Sequence, residues 1–398
     1  MPSIVRDRVL LRTLTFFALA ALASCGRDNA RPIEATPPPP PRVRADAVAR
    51  AIPEKVKDRG GWAKAVIAAL DEIGMTPARE PVCAVLAVIE QESGFVADPV
   101  VPNLARTVEA KLDELGRRLG PIGRPAIDRL LEGRAPGHTE SFATRLKKVK
   151  TERDLDVVFR DLVAYYRAKY PKTAATAEVA GALFRGAEVD DLNPITTAGS
   201  MQVSVRFAAE VGKRRGLTRE QVRDALYTRE GGVEFGTARL FAHEASYEKF
   251  LYRFADYNAG LYASRNAALQ EQLSVLVGTS LVPDGDFLAY DKVGREIDVV
   301  TKSLAALLAF RSAFAPDLSE RRVRNDARKE KLLDFESTET YRAVKRVYAS
   351  RQGRTPAYAR LPALTLKSPK LSRDRTTAWF AESVDKRFNA CLKRLPLR

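Results

Sequence analysis

Pro81-Val82-Cys83-Ala84-Val85-Leu86-Ala87-Val88-Ile89-Glu90-Gln91-Glu92-Ser93-Gly94-Phe95 is the stretch of this 398-residue chain that decides how the rest is read. Val82, Val85 and Ile89 recur at helical spacing and form one apolar stripe, and Glu92 continues it three residues past Ile89. A carboxylate on the core-facing stripe of a helix is partly desolvated. Desolvation disfavours its charged form, which is what a general acid working near neutral pH requires. Glu90 sits about 200° round the helix from Glu92 and should face elsewhere. Cys83, nine residues before Glu92, falls on the opposite face, where it is free to act as a structural staple. Taken alone, the stretch reads rather as a helix that simply ends near Gly94 and leaves Glu92 in solvent.

Two further strings follow in order, Gly199-Ser200-Met201-Gln202-Val203 and Ala255-Asp256-Tyr257-Asn258-Ala259-Gly260. With Glu92-Ser93-Gly94-Phe95 they supply an acid, a loop and an aromatic-amide pair. Each string is short enough to arise by chance, and Asn-Ala-Gly also reads as a helix end; their order is the stronger signal.

The three strings together resemble the goose-type lysozyme and lytic transglycosylase superfamily, whose pattern runs Glu-Ser-x-Phe, Gly-x-Met-Gln, Tyr-Asn-Ala-Gly. The resemblance covers residues 80–95, 193–215 and 228–265, and includes Thr228 to Thr237, which looks like the start of the helix between the second and third strings. It implies that Glu92 is the catalytic acid/base with Ser93 as its hydrogen-bonding partner. Gly199, Ser200, Met201 and Gln202 would line a glycan groove, and Tyr257 and Asn258 would close it. The fold it implies is mainly α, with a lysozyme-like helical core.

The reaction so implied is a lytic transglycosylation of peptidoglycan. One Glu protonates the oxygen of the MurNAc-GlcNAc β-1,4 bond and then, as carboxylate, takes the proton of the C6 hydroxyl, closing a 1,6-anhydro ring. Most glycosidases need two carboxylates. A hydrolytic muramidase would therefore require a second one, and Asp256 is the candidate carried by the strings; a helix-end charge or a local salt bridge accounts for it as well. A non-catalytic peptidoglycan-binding scaffold is the alternative from another class. No cofactor is implied, and the two histidines, His138 and His243, lack ligand-spaced neighbours for a metal.

The chain departs from the pattern at three places. Ser200 stands where Leu is common, and Asp256 where a small apolar residue is usual. Residues 96–192 separate Phe95 from Asn193-Pro194, an interruption that reads as a helical insertion with an unknown protein partner. This split arrangement resembles a bacterial lipoprotein family of uncharacterised activity.

The N-terminus indicates where such a site would work. Arg6, Arg8 and Arg12 precede an apolar run from Leu14 to Ala23, too short for a bilayer core that takes ~20 helical residues. It reads as a signal peptide, and Leu22-Ala23-Ser24-Cys25 resembles a lipobox, which implies a lipid on Cys25. Gly26 next to it leans, by the same resemblance, toward the periplasmic face of the bacterial outer membrane. Pro32 and the run Pro37 to Pro41 favour extended polyproline II, hence a tether.

The net charge is +16. In a cytosolic protein this would suggest nucleic acid; export makes an anionic wall polymer or lipid head groups the natural counterion, and no nucleic-acid partner is expected. Cys83 and Cys391 are the cysteines besides Cys25. In an oxidising compartment they either pair or stay as buried thiols. A bridge over so long a loop contributes somewhat over ~4 kcal/mol in the chain-entropy model.

Helical periodicity recurs at Trp62 to Leu70, Val157 to Tyr166, Val299 to Phe310 and Tyr341 to Val347, and Thr218-x-x-Gln221 reads as a capping box. The segment 353–372, with Pro356, Pro362 and Pro369, reads as extended before a last helix near Trp379 to Cys391. The expected organisation is a signal peptide (1–24), a lipid-anchored tether (25–50), a lysozyme-like domain (51–315) interrupted by 96–192, and a C-terminal helical extension (316–398).

Overall fold

The computed structural model describes residues 40–169, 193–291, 294–366 and 375–396. The signal peptide, Cys25 and the tether to residue 39 lie outside the described residues, as do 170–192 of the insertion and Pro369. What is described is mainly α-helical. No helix among the described residues is long and apolar enough to cross a membrane.

A short helix, α1 (Ala45–Ala51), opens the described chain and buries Val48 and Ala51, so the expected tether cannot extend to residue 50. In α2 (Arg59–Glu72), Asp58 caps the N-terminus by accepting from the Gly61 amide, and Trp62, Val66 and Leu70 are buried. Helix α3 (Arg79–Glu92) corrects the single-stripe expectation, because every residue from Val82 to Ile89 is buried. A helix apolar all round belongs inside a bundle. Neighbours pack around α3, and Glu90 faces Arg387 and Arg394 at 4.0 and 3.8 Å, away from Glu92.

The interrupting block forms α4 (Leu104–Arg118), α5 (Gly123–Leu131), α6 (Phe142–Leu146) and α7 (Glu152–Lys169). Leu104, Ile127, Leu131, Phe142, Leu155 and Val158 join the same hydrophobic core as α3. The described part of the block is built into that core rather than appended to it.

The chain continues through α8 (Val205–Arg214), α9 (Arg219–Leu226), α10 (Arg229–Leu240) and α11 (Phe250–Ala259). The capping box at Thr218 and Gln221 is present in both directions. A second core gathers Leu269, Leu273, Leu307, Phe310, Val323, Phe335 and Val344 from α12 (Ala263–Val277), α13 (Lys302–Phe314), α14 (Glu320–Ala327), α15 (Glu339–Gln352) and a 3-10 turn at Leu333–Ser337. The expected boundary at 315/316 therefore cuts through one core. Val299, assigned to a helix by its periodicity, lies before α13 and is 56% exposed.

The last helix, α16 (Thr377–Arg394), leaves the second core and returns to the first, against α3 and α11. Cys391 on α16 is bonded to Cys83 on α3, with Cα atoms 5.5 Å apart. Short two-stranded pairs complete the described structure, among them β1 (Thr197–Ala198) with β2 (Val203–Ser204), in the antiparallel register Thr197↔Ser204.

Candidate functional site

Glu92 is the last residue of α3 and is half-buried. The chain then reverses sharply: Gly94 has φ +60° and Phe95 φ +67°. A left-handed phenylalanine costs on the order of 1–3 kcal/mol. Its ring is 6% exposed and meets Trp62 edge-on at 5.5 Å between centroids, burial that offsets about the same amount. Ser93 follows Glu92 as the C-cap of α3. Its hydroxyl donates to the Ile89 carbonyl at 3.2 Å and accepts from the Val96 amide at 3.3 Å, so it ends the helix and shapes the reversal.

The second string is the β1–β2 hairpin loop, seated on α10. Gly199 has φ +79°, and a Cβ there would lie 2.1 Å from the Leu226 carbonyl oxygen. A Cβ on Gly232 would come within 2.8 Å of Ser200 Oγ, and one on Gly236 within 2.2 Å of Met201 Sδ. Two helix glycines four apart thus open a slot into which Ser200 and Met201 sink. Both are 0% exposed. Neither can line a groove; Met201 is a packing anchor. Gln202 is the residue of the loop that remains half-open, with φ +50°.

The third string ends α11. The Tyr257 hydroxyl donates to the Met201 carbonyl at 2.7 Å, joining the third string to the second. Burial pushes the phenol well above its ordinary range, and the negative charge of Glu92 pushes it further, against an opposing effect of Arg239. Tyr257 therefore touches the loop and feels the acid. Asn258 is exposed, and its Oδ1 accepts from the Thr377 hydroxyl of α16 at 3.4 Å.

Asp256 is not a second acid facing substrate. It is 0% exposed. Its Oδ1 accepts from the Ser264 amide at 2.7 Å, and its Oδ2 accepts from Tyr247 at 2.5 Å and lies 3.0 Å from His243 Nε2. Its carboxylate is spent on tying α11 to α12 and to the loop after α10.

The block 96–192 contributes acids that the sequence motifs do not mark. Glu152, the first residue of α7, is 2% exposed, and its Oε2 accepts from Gln202 Nε2 at 2.9 Å. Asp156, one turn on, is 0% exposed; its Oδ1 accepts from Asn193 at 2.6 Å and from Arg223 at 2.7 Å, and its Oδ2 lies 3.1 Å from Arg160. Asp98 holds its proton above the usual carboxylate range, chiefly because it is buried, with a hydrogen bond from Thr151 opposing. Glu152 opens a helix, where acids are common for dipole reasons alone, so nothing in the sequence singled it out.

Two cavities of about 450 and 430 Å³ lie off the three strings, one beside Arg322 and Lys329 and one beside Asp98 and Arg153. Among the described residues no group of three or more His, Cys, Asp or Glu is placed to hold a metal ion.

A family model described as "Protein of unknown function (DUF1615)" matches residues 55–394. A protein of Escherichia coli (strain K12) described as "Uncharacterized protein YaiW" is 34% identical over 386 residues, 96% of this chain and 98% of that protein. No solved structure matches the chain.

Proposed function

The chain belongs to that family, and we propose that it is a peptidoglycan lytic transglycosylase with a lysozyme-like core, in which Glu92 carries the acid/base chemistry. The observation that carries the reading is the convergence on Tyr257. Its hydroxyl binds the Met201 carbonyl at 2.7 Å, the loop of Met201 is seated on α10, and α10 packs against α3, the helix that ends in Glu92. Three strings separated by more than a hundred and fifty residues of sequence, end to end, share one neighbourhood. Of the five left-handed non-glycine residues among the described residues, Phe95 and Gln202 lie in the first two strings, and such strain collects at functional sites.

In this reading a glycan strand lies across the end of α3. Glu92, protonated, gives its proton to the leaving glycosidic oxygen. The resulting carboxylate takes the proton from the C6 hydroxyl of the same N-acetylmuramyl residue, whose oxygen closes on C1. The proton count returns to its start, and no water is consumed. The burial of Asp256 supports ring closure over hydrolysis, because a hydrolase needs a base that can reach a water. A lipid on Cys25 would keep the enzyme at the periplasmic face of the outer membrane, within reach of its polymer.

Glu92→Gln keeps the shape of the side chain and removes the proton. Turnover of purified sacculi should fall by ~10²-fold to ~10⁴-fold, while co-sedimentation with sacculi persists. Wild type that binds sacculi and never cleaves them would make the protein a scaffold and Glu92 a binding residue.

A further inference from the structure

We propose that Glu152 is a positioning residue of this site: it holds the Gln202 side chain in the orientation in which it meets glycan, so α7, from the described part of the interrupting block, forms one wall of the site. The proposal rests on the glycan-cleaving reading of the three strings.

Gln202 is gripped at both ends of its amide. Nε2 donates to Glu152 Oε2 at 2.9 Å and to the Gly199 carbonyl at 3.3 Å, while Oε1 accepts from the Thr197 hydroxyl at 3.1 Å. A nitrogen facing two acceptors and an oxygen facing a hydroxyl fix which way the amide points. Glu152 supplies the stronger grip, since a hydrogen bond to a carboxylate is charge-assisted. A buried carboxylate is costly unless it is well bonded; here the N-terminus of α7 favours the charge.

The platform beneath Glu152 is stiff. One turn further on, Asp156 binds Asn193, which precedes the loop, and Arg223 of α9, which follows it. Arg223 also donates to the Ile195 carbonyl at 3.3 Å. Leu155 and Val158, from the same two turns of α7, sit in the core with α3. Helix α7 is therefore bonded to both flanks of the loop whose half-open residue it holds. A displaced Gln202 would misplace bound glycan, and a shift of about 1 Å in such a contact can cost on the order of a hundredfold in rate.

The test is a double-mutant cycle in the full chain, read by turnover of sacculi and by co-sedimentation. Glu152→Ala and Gln202→Ala should each lower turnover tenfold or more, and the double variant should be no worse than Gln202→Ala. Glu152→Gln, which still offers an oxygen to Gln202, should recover most of the loss. A second measurement does not depend on Glu152→Ala folding or on activity: the side-chain amide signal of Gln202 in 15N-labelled protein, identified by its loss in Gln202→Ala, should shift in Glu152→Gln. Losses that multiply in the double variant, or an amide signal unmoved by Glu152→Gln, overturn the proposal while leaving the role of Glu92 intact. Wild type that neither cleaves nor binds sacculi overturns both, even if the amide signal shifts.

Discussion

The core that carries the three strings and the core built around α12 are both helical, and they treat buried polar groups in opposite ways. Around α12 nearly every buried polar atom is matched. Arg265, 0% exposed, donates to the carbonyls of Leu332 and Glu330 and to Glu336, and its guanidinium stacks 4.0 Å from the Tyr262 ring centroid. Gln270 Nε2 faces Asp284, the Asp286 carbonyl and Ser303, and its Oε1 accepts from the Gly285 amide. Glu330 accepts from the amides of Phe287 and Leu288 and from Tyr290. In the first core, Asp98 Oδ1, Ser200 Oγ, Tyr227 Oη and Thr237 Oγ1 are buried without a hydrogen-bond partner among the described residues. Each such atom costs on the order of 1–3 kcal/mol. Local rules tend to be broken where a protein works, so the contrast is the one expected if the proposed site lies in the first core and the second core supports it.

The largest effect that would break this division is in the support. Arg265→Met removes one donor each from Glu336 and from the carbonyls of Leu332 and Glu330, which keep Tyr358, the Phe335 amide and Asn266, and loses a set of charge-assisted hydrogen bonds worth on the order of 3 kcal/mol or more together. Unfolding in urea should move by that much, while the turnover per folded molecule stays near wild type. A loss of turnover in fully folded Arg265→Met would show that the two cores are not separable in function.

A smaller effect is expected at the slot in α10. Gly236→Ala would place a Cβ 2.2 Å from Met201 Sδ, and overpacking of this kind costs about 1–3 kcal/mol. It should also lower turnover, because Tyr257 is bonded to the Met201 carbonyl. The control is Gly353, which caps α15 at φ +63° with open space around it. Gly353→Ala should cost about 1 kcal/mol for its backbone alone and leave turnover unchanged.

The smallest expected effect depends on pH. Burial holds the Glu330 carboxyl above its ordinary range, with Lys331 and Tyr290 opposing. A raised native pKa means that the folded protein binds the proton more tightly than the unfolded chain. The resulting stabilisation is fully present below the unfolded carboxylate pKa and is lost as pH rises through the folded value. Wild type should therefore lose stability relative to Glu330→Gln between mildly acidic and neutral pH, as read by thermal unfolding at both. A constant difference would remove Glu330 from the account.

What the sequence made legible follows from the range over which each signal acts. Helix caps and periodicities are local, so α2, the Thr218 capping box and the last helix were readable from spacing, as was the opposition of Glu90 to Glu92. The pairing of Cys83 with Cys391 was readable as one of two alternatives, because an exported chain with two remaining thiols favours a bridge. Burial depends on neighbours from distant sequence and misled the local reading in both directions. The α3 stripe proved to be buried all round because α2, α10 and α16 surround it. Met201 and Ser200 look like loop residues and are core because Gly232 and Gly236 let them sink. Arg265 and Asn266 follow the third string as if on a polar surface, yet both are 0% exposed, held by loops some twenty and sixty-five residues away. Glu152 carried no signal at all; only the fold brings α7 to Gln202. A glycine pair four apart in a helix facing a motif is the one clue that spacing alone could have yielded.

The central claim is tested most directly by mass spectrometry of the material released when purified sacculi are incubated with wild type and with Glu92→Gln. The account predicts soluble muropeptides ending in 1,6-anhydro-N-acetylmuramic acid from wild type, and a near absence of them from Glu92→Gln that still pellets with the sacculi. Reducing ends from wild type would mean that a water is activated and that the ring-closing mechanism is wrong. Identical anhydro products at equal rates from both proteins would contradict the assignment of Glu92.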